Sequence, residues 1–469
     1  MASTDHLPSL TRDLLFLDGG RLKLWNHANG QIESLAGPES AGDKARVSNT
    51  AFQLGGGPAL GSVLAFSDSE PGRNAALVLQ GVGAYTLSLL SLDTRKSISL
   101  VDQTATLLDM SLAPDGQEVV YVPQDSLPNA GQQLTATPSA TSSPANSVLR
   151  APQPLLGSLG SIQPAASARR PPAGGGPMSG KIFVVQANAP NQSREVGHCT
   201  EIDVSPGYML GCQGVLWSPD SGALVWGDGQ GMWLSDLKAP AHLVAANYIA
   251  PPNKRGTFSY SPVSWSPVGR YVLLVINLYE GDSRAILDTQ TGHVIDITDS
   301  FEYGGPSALI TWMRDGRLFI IRPNNATSGV GATGEIWHID PAGQGLLSRD
   351  NVFSISLASE SEPVAPAQLE DGRLAFAMLN ASSTNYIERG LYVLPLDTLI
   401  PRKVIGLPPA GMDEFHDFFA DVAWAPDGSG AIIRDRSANW LIYAAIDSGA
   451  LYDLQAIASQ NACCFTWTK

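Results

Sequence analysis

Few side chains in this 469-residue chain are grouped so as to do chemistry. The densest group is Asp413, Glu414, His416, Asp417 and Asp421. Carboxylates beside an imidazole raise its pKa and can hold a cation or a basic ligand. An acidic solvated loop has the same composition, and that plainer reading is adopted. Gly329-Val-Gly-Ala-Thr-Gly334 spells a dinucleotide fingerprint. It is placed in a flexible loop between two strands, with no helix after it to offer an N-terminus to a phosphate. Gly175 to Lys181 approaches a P-loop, but Ile182 stands where Ser or Thr would be needed. Neither a Gly-x-Ser-x-Gly elbow nor a His-Glu-x-x-His pair occurs. Asp-Gly pairs recur without the ligand spacing of an EF-hand, and hairpin geometry accounts for them. The expectation is no catalytic residue, no metal and no cofactor.

The four cysteines fit no zinc spacing. Cys199 and Cys212 flank a short Gly/Pro-containing loop and are a disulfide candidate, which tilts the compartment toward an oxidising one. Adjacent Cys463 and Cys464 would point to opposite faces of a strand, so they are read as packing residues, with a vicinal bridge as the alternative. Tyr208-Met-Leu-Gly-Cys212 imitates a lipoprotein cleavage box but lies mid-chain with no apolar segment before it. Sequons begin at Asn191, Asn325 and Asn380. The opening residues carry neither a basic nor an apolar stretch, so no signal peptide is visible, and no run is apolar and long enough for a membrane span.

Composition narrows the class. Net charge is −15 with only 29 Lys and Arg, which argues against a nucleic-acid partner, since phosphate contacts need a basic face. Forty-seven glycines and 33 prolines are too many for a helical bundle, while 43% hydrophobic residues supply a sizeable core.

The elements that position everything else come from a repeat. Val215-Leu-Trp-Ser-Pro-Asp-Ser-Gly222, Val263-Ser-Trp-Ser-Pro-Val-Gly269, Val422-Ala-Trp-Ala-Pro-Asp-Gly428 and Met110-Ser-Leu-Ala-Pro-Asp-Gly116 are copies of one motif. Ile310-Thr-Trp-Met-Arg-Asp-Gly316 and Ala367-Gln-Leu-Glu-Asp-Gly372 are weaker copies. Trp217, Trp265, Trp312, Leu369 and Trp424 mark the series at intervals of roughly 50 residues. Each copy is an apolar strand, a tight turn and a second strand. A third strand and a short fourth follow. Four antiparallel strands recurring at this period predict an all-β propeller of four-stranded blades.

The motif resembles the bacterial TolB-like propellers, a WD-repeat-like family marked by Trp-Ser-Pro-Asp-Gly. The same repeat occurs in propellers attached to prolyl oligopeptidases. The α/β domain that precedes the propeller in TolB proper is not visible, nor is there room for a hydrolase domain. Phe465-Thr-Trp-Thr468 reads as a first strand with nothing after it. Asp13–Asp18, Arg21–Trp25 and Gln31–Leu35 read as second, third and fourth strands with nothing before them. Joined, the two ends complete one blade, which removes exposed sheet edges and brings the count to eight, with seven as the alternative.

Three stretches are distinguished: propeller over 1–123, an insertion over 124–179, and propeller again over 180–469. The insertion holds nine prolines and no aromatic residue. It cannot bury enough apolar surface to offset ordering entropy, and is expected to be disordered.

Turns from first to second and from third to fourth strand are short in the repeat. Second-to-third and blade-to-blade connections are long, and both classes emerge on one face. Variable loops on a rigid scaffold are where binding is generally built. The candidate binding residues there are Arg322, Asn324, Tyr386, Glu388, Arg389 and His416. Asp417, Arg434, Asp435 and Arg436 complete the set, with Tyr279, Glu280 and Asn325 nearby. The expected function is a non-enzymatic scaffold for a protein or peptide. The resemblance implies an extracytoplasmic place, periplasmic or cell-surface, and a partner such as an envelope lipoprotein; a cytoplasmic place is the alternative. An enzyme acting on sugar or peptide in the central funnel, and a structural subunit of a larger assembly, are the competing readings.

Overall fold

The computed structural model describes residues 8–36, 63–68, 75–82, 84–104, 107–124, 179–205, 208–251, 256–278, 281–297, 309–323, 331–339, 347–356, 361–381, 389–407, 420–435, 440–455, 457–459 and 462–468. Every regular element among them is a strand. The chain opens with β1 (Leu14–Asp18), β2 (Arg21–Trp25) and β3 (Ile32–Ala36). Blade two is β4 (Val63–Asp68), β5 (Ala75–Val82), β6 (Ala84–Ser91) and β7 (Ser97–Thr104). Blade three is β8 (Leu107–Leu112), β9 (Glu118–Pro123), β10 (Gly180–Gln186) and β11 (Arg194–Cys199). A separate hairpin follows, β12 (Ile202–Ser205) with β13 (Tyr208–Leu210). Blade four is β14 (Gln213–Trp217), β15 (Leu224–Gly227), β16 (Gly231–Ser235) and β17 (His242–Ala246). Blade five is β18 (Phe258–Trp265), β19 (Tyr271–Leu278), β20 (Gly281–Asp288) and β21 (Val294–Asp296). Blade six is β22 (Leu309–Trp312), β23 (Leu318–Pro323), β24 (Gly331–Ile339) and β25 (Leu347–Ser356). Blade seven is β26 (Ser361–Gln368), β27 (Leu374–Ala381), β28 (Gly390–Leu394) and β29 (Arg402–Gly406). Blade eight is β30 (Ala420–Trp424), β31 (Gly430–Asp435), β32 (Trp440–Ala445) and β33 (Ala450–Asp453). The last strand, β34 (Cys463–Trp467), returns to pair antiparallel with β1 and completes blade one in the order β34-β1-β2-β3.

The chain is therefore an eight-bladed β-propeller closed by its two ends. The buried apolar residues confirm the ring, because each main cluster lies between two neighbouring blades. Leu15, Leu22 and Leu24 of blade one pack with Ala76, Val78 and Leu90 of blade two. Equivalent clusters join two to three, three to four, four to five, five to six, six to seven and seven to eight. The eighth joins Ile432, Leu441 and Tyr443 of blade eight to Leu14, Phe16, Trp25 and Trp467 of blade one. A fully buried Leu or Phe stabilises by about 1.5–3 kcal/mol, so the junctions between blades, more than any one sheet, hold the molecule together.

First strands touch the first strands of neighbouring blades, as in β8 with β14, β14 with β18, β22 with β26, and β30 with β34. They line the axis. The repeated tryptophan makes this contact directional. Trp217 Nε1 donates to the Ser111 carbonyl of the preceding blade at 3.2 Å. Trp265 donates to Leu216 at 3.3 Å, Trp312 to Ser264 at 3.4 Å, Trp424 to Ala365 at 2.8 Å and Trp467 to Ala423 at 3.1 Å. Four residues beyond this position the chain turns through the left-handed region: Gly116, Gly269, Gly316, Gly372 and Gly428 have φ of 69 to 89°. Glycine adopts that conformation without strain. In blade four Ser221 takes it instead, at φ 61°, so Gly222 is an inserted neighbour. The same spacing corrects the repeat in blade seven. Gln368, paired with Leu374 as Trp312 is with Leu318, holds the tryptophan position, and Leu369 lies one place further on. Gln368 Oε1 accepts from the Arg314 amide of blade six at 2.7 Å, so that junction keeps an interblade bond with the donor reversed.

Gly331 to Gly334 open β24, where Gly331 pairs with β25 and Ala332 to Gly334 pair with both β23 and β25. The last four of the fingerprint-like letters are strand rather than flexible loop, and Gly329 and Val330 lie outside the described residues. Nearly all of the 124–179 insertion lies outside the described residues, between β9 and β10.

Candidate binding face

Because the strands of each blade alternate in direction, second-to-third and blade-to-blade connections share one face and the Asp-Gly turns occupy the other. The two classes on the first face differ in length. Second-to-third connections include the single residue 83, the pair 279–280 and the long 124–179. Blade-to-blade connections are more consistently long, as at 37–62, 247–257 and 407–419.

Of the expected binding residues, Asn324, Tyr386, Glu388, His416, Asp417 and Arg436 lie outside the described residues. Arg322 is next to last in β23 and Asp435 last in β31, both at this face. Arg389 and Arg434 are described, and they are not surface groups: Arg389 is 1% exposed and Arg434 3%. Arg434 Nη1 donates to the Ala462 carbonyl at 2.7 Å, tying blade eight to the segment that leads into β34. The expectation that both arginines are freely exposed is corrected. Arg434 follows Ile433, which packs between blades seven and eight, so its side chain is directed to the opposite side of the strand, toward blade one; Arg389 immediately precedes β28.

The best-defined part of the face spans blades three to five, and the sequence reading passed over it. Cys199, at the end of β11, is disulfide-bonded to Cys212, just before β14. The bridge spans the β12–β13 hairpin, which rises between the two blades. Asp228, fully buried after β15, anchors the base. Its Oδ2 accepts from the Thr200 amide at 2.9 Å. Its Oδ1 accepts from the Gln230 and Gly231 amides and from Trp233 Nε1, at 2.8, 3.1 and 2.9 Å. The Gly229 amide donates to the Thr200 carbonyl at 2.9 Å. A Cβ at Gly229 would lie 2.8 Å from that oxygen and 2.9 Å from Ile202, so only glycine lets the hairpin sit this close.

The network continues sideways. Asn247 Nδ2 donates to the Asp228 and Gly229 carbonyls at 2.8 and 3.1 Å, and Asn247 Oδ1 accepts from the Tyr260 amide at 3.0 Å. Asn277 Nδ2 donates to Ser261 Oγ at 2.7 Å, which is 3.0 Å from Gln213 Oε1. Across blades three and four, buried Asp109 of β8 accepts from the Val215 amide at 2.7 Å. Charge-assisted bonds of this kind are stronger than neutral ones. Burial, with the Asp296 carboxylate adding to it, pushes the Tyr260 phenol above its ordinary pKa, so it stays neutral.

Beside this frame an apolar group faces outward. Tyr248 bridges to Phe258, and Phe258 pairs with Leu278. The Tyr248 and Phe258 rings stack at 5.6 Å, and Phe258 meets Tyr260 edge-on at 5.5 Å. Tyr248 is 41% exposed, Leu278 41% and neighbouring Ile249 38%. Clustered exposed apolar residues of this kind mark interaction sites more often than scattered ones do. A local signal for the frame existed in Asp228-Gly-Gln-Gly231, an Asp followed by glycines between two strands. Among the described residues there is no group of three or more His, Cys, Asp or Glu placed to hold a metal ion, and no helix long and apolar enough to cross a membrane.

No family model and no curated protein sequence matches the chain. Several solved structures are similar. A dihydro-heme d1 dehydrogenase aligns over 97% of this chain and 75% of its own, with 12% identity and a TM-score of 0.48. Prolyl oligopeptidase B from Galerina marginata aligns over 86% of this chain, with 8% identity and a TM-score of 0.45. An oligogalacturonate lyase in complex with manganese aligns over 89% and 81%, with 10% identity and a TM-score of 0.37. The chain spans about half the length of the prolyl endopeptidases it matches, 51% in each case. At these values the sheet order and the ring of interblade cores, rather than any one likeness, define the fold.

Proposed function

We propose that this propeller is a non-enzymatic scaffold that captures a protein or peptide on its long-loop face. The observation that carries the reading is the outward Tyr248–Ile249–Leu278 group set on a frame of part-buried hydrogen bonds across blades three to five. Preorganised aromatic surface loses little entropy on binding, and aromatic residues are favoured anchors at interfaces. The Trp-Ser-Pro-Asp repeats support a TolB-like place in the cell envelope, with an envelope lipoprotein or a multi-subunit assembly as the class of partner. The Cys199–Cys212 bridge supports an oxidising, extracytoplasmic compartment.

The test is copurification from the native host, followed by hydrogen exchange on the captured complex. Protection should concentrate at 247–260 and 275–278, and Tyr248→Ala combined with Leu278→Ser should abolish capture. Protection confined to the Asp-Gly turns would overturn the assignment. The propeller fold is also compatible with catalysis, and turnover of a sugar or peptide at the funnel would replace this reading.

A further inference from the structure

The strand that closes the ring contains an irregularity. On a regular strand, adjacent side chains point to opposite faces, which would separate Cys463 from Cys464. The pairing of β34 with β1 is not regular: Leu14 faces Trp467 and Leu15 faces Thr466, but Leu17 faces Cys463, so the register shifts between them. Cys464 lies in the left-handed region at φ 60°. A bulge of this kind breaks the alternation. The two sulfurs consequently face each other at 2.8 Å, and neither is in a disulfide. Cys464 is exposed, while Cys463 is half-buried and packs against the leucine cluster between blades one and two.

A second observation bears on their chemistry. The same chain holds a disulfide between Cys199 and Cys212, so it is suited to conditions in which thiols are oxidised. We propose that Cys463 and Cys464 form a two-electron redox site that closes to a vicinal disulfide by exchange with an external disulfide. The thiolate of exposed Cys464 attacks one sulfur of the external disulfide; a mixed disulfide forms and one external thiolate leaves. The thiolate of Cys463 then attacks Cys464 Sγ and expels the second external thiolate. The two protons given up by the cysteines go to the released thiolates. Two protein thiols are oxidised, and one external disulfide is reduced to two thiols. The ring so formed fixes the bulge in the strand that joins the two ends of the chain. The site belongs to the closing seam and does not depend on what the long-loop face binds.

The full-length protein, equilibrated with oxidised and reduced glutathione, acid-quenched and alkylated, supplies the test by peptide mass mapping. The expected result is loss of both alkylatable thiols from the peptide bearing 463 and 464, with a mass lower by two hydrogens. Mild reductant should reverse it while Cys199–Cys212 stays intact. Cys463→Ser should instead accumulate glutathione on Cys464, because the resolving thiol is gone. If that variant does not fold, the wild-type map alone decides. Two alkylatable thiols persisting in oxidised buffer, stable glutathione on the wild-type pair, or a disulfide between chains would each overturn the proposal.

Discussion

Blades three and four follow one another in the chain, yet their junction carries a disulfide, buried Asp109 and the Asp228 anchor. Blades eight and one are joined by opposite ends of the chain and rely on non-covalent contacts. Trp467 of blade one donates to Ala423 of blade eight; at the closing end of blade one the Thr468 amide donates to the Asp13 carbonyl, and Asp18 takes the Ser459 hydroxyl and, within the blade, the Lys23 ammonium, the latter at 2.6 Å. The repeat bond is the same in both places. Covalent fastening is found where the hairpin joins the ring, whereas the seam combines buried packing with the charged bonds of Arg434 and Asp18. The comparison separates two demands: closing the ring needs buried area as well as directional bonds, and holding a surface hairpin in place adds a covalent tie.

Breaking the seam should have the largest effect. Trp467→Ala removes a buried indole, its interblade bond and its contacts with Tyr443. Large-to-small core changes of this type cost about 3–5 kcal/mol. The expected outcome in denaturant titration is a lower midpoint together with aggregation, as the edge of β1 is uncovered. A melt unchanged by this substitution would mean that the seam does not hold the ring.

On the other side of the comparison, Cys199→Ser should cost about 3 kcal/mol, the chain-entropy value for a loop of this size. The loss should appear in hydrogen exchange as faster opening of 202–210 before any global unfolding. Asp228→Asn turns one of the two accepting oxygens into an NH2 group, set against either the Thr200 amide or the donors on the other oxygen, and should cost about 2 kcal/mol, with the same local signature. If either change destabilised every blade equally, the frame would be part of the general core rather than a local support.

The seam should also respond to acid. Burial draws the Asp18 pKa upward, but hydrogen bonds from Lys23 and Ser459 and the charge of Lys23 outweigh it and hold the carboxyl below the ordinary carboxylate range. Its folded pKa is therefore below its unfolded one. The stability it contributes is complete above the unfolded value and is lost as pH falls through the folded value. Thermal melts between neutral pH and acid should show a steeper decline for the wild type than for Asp18→Asn. The smallest stability change belongs to Tyr248→Ala. At an exposed position it should stay within about 0.5 kcal/mol while partner capture falls.

The ring was legible in the sequence because the Trp and Gly positions that define each blade are local. A tight turn needs its left-handed residue whatever surrounds it, so Gly116, Gly269 and Gly428 announce themselves. The orphan strands at the two ends could be joined for the same reason. Other features depended on partners distant in sequence. Arg389 and Arg434 read as loop charges until the packing of blades seven and eight enclosed them. Asp228 and Asn247 are ordinary turn residues by letter, and their role comes from Thr200 and Tyr260. The Cys463–Cys464 pairing required a bulge, which a strict two-residue period cannot represent.

The tryptophan bonds all run in one sense, each tryptophan-bearing blade donating to the one before it. A blade with this motif thus brings a donor for its predecessor and an acceptor for its successor. Copying such a blade in tandem, or removing it whole, would leave no orphaned indole and no uncovered carbonyl at the new joint. Blade number in such a molecule is free to drift by entire units, while the loss of part of a blade breaks two joints at once. Duplication and deletion by whole modules is the route this geometry leaves open to evolution, and blades grafted at that boundary are the ones an engineer should expect to close.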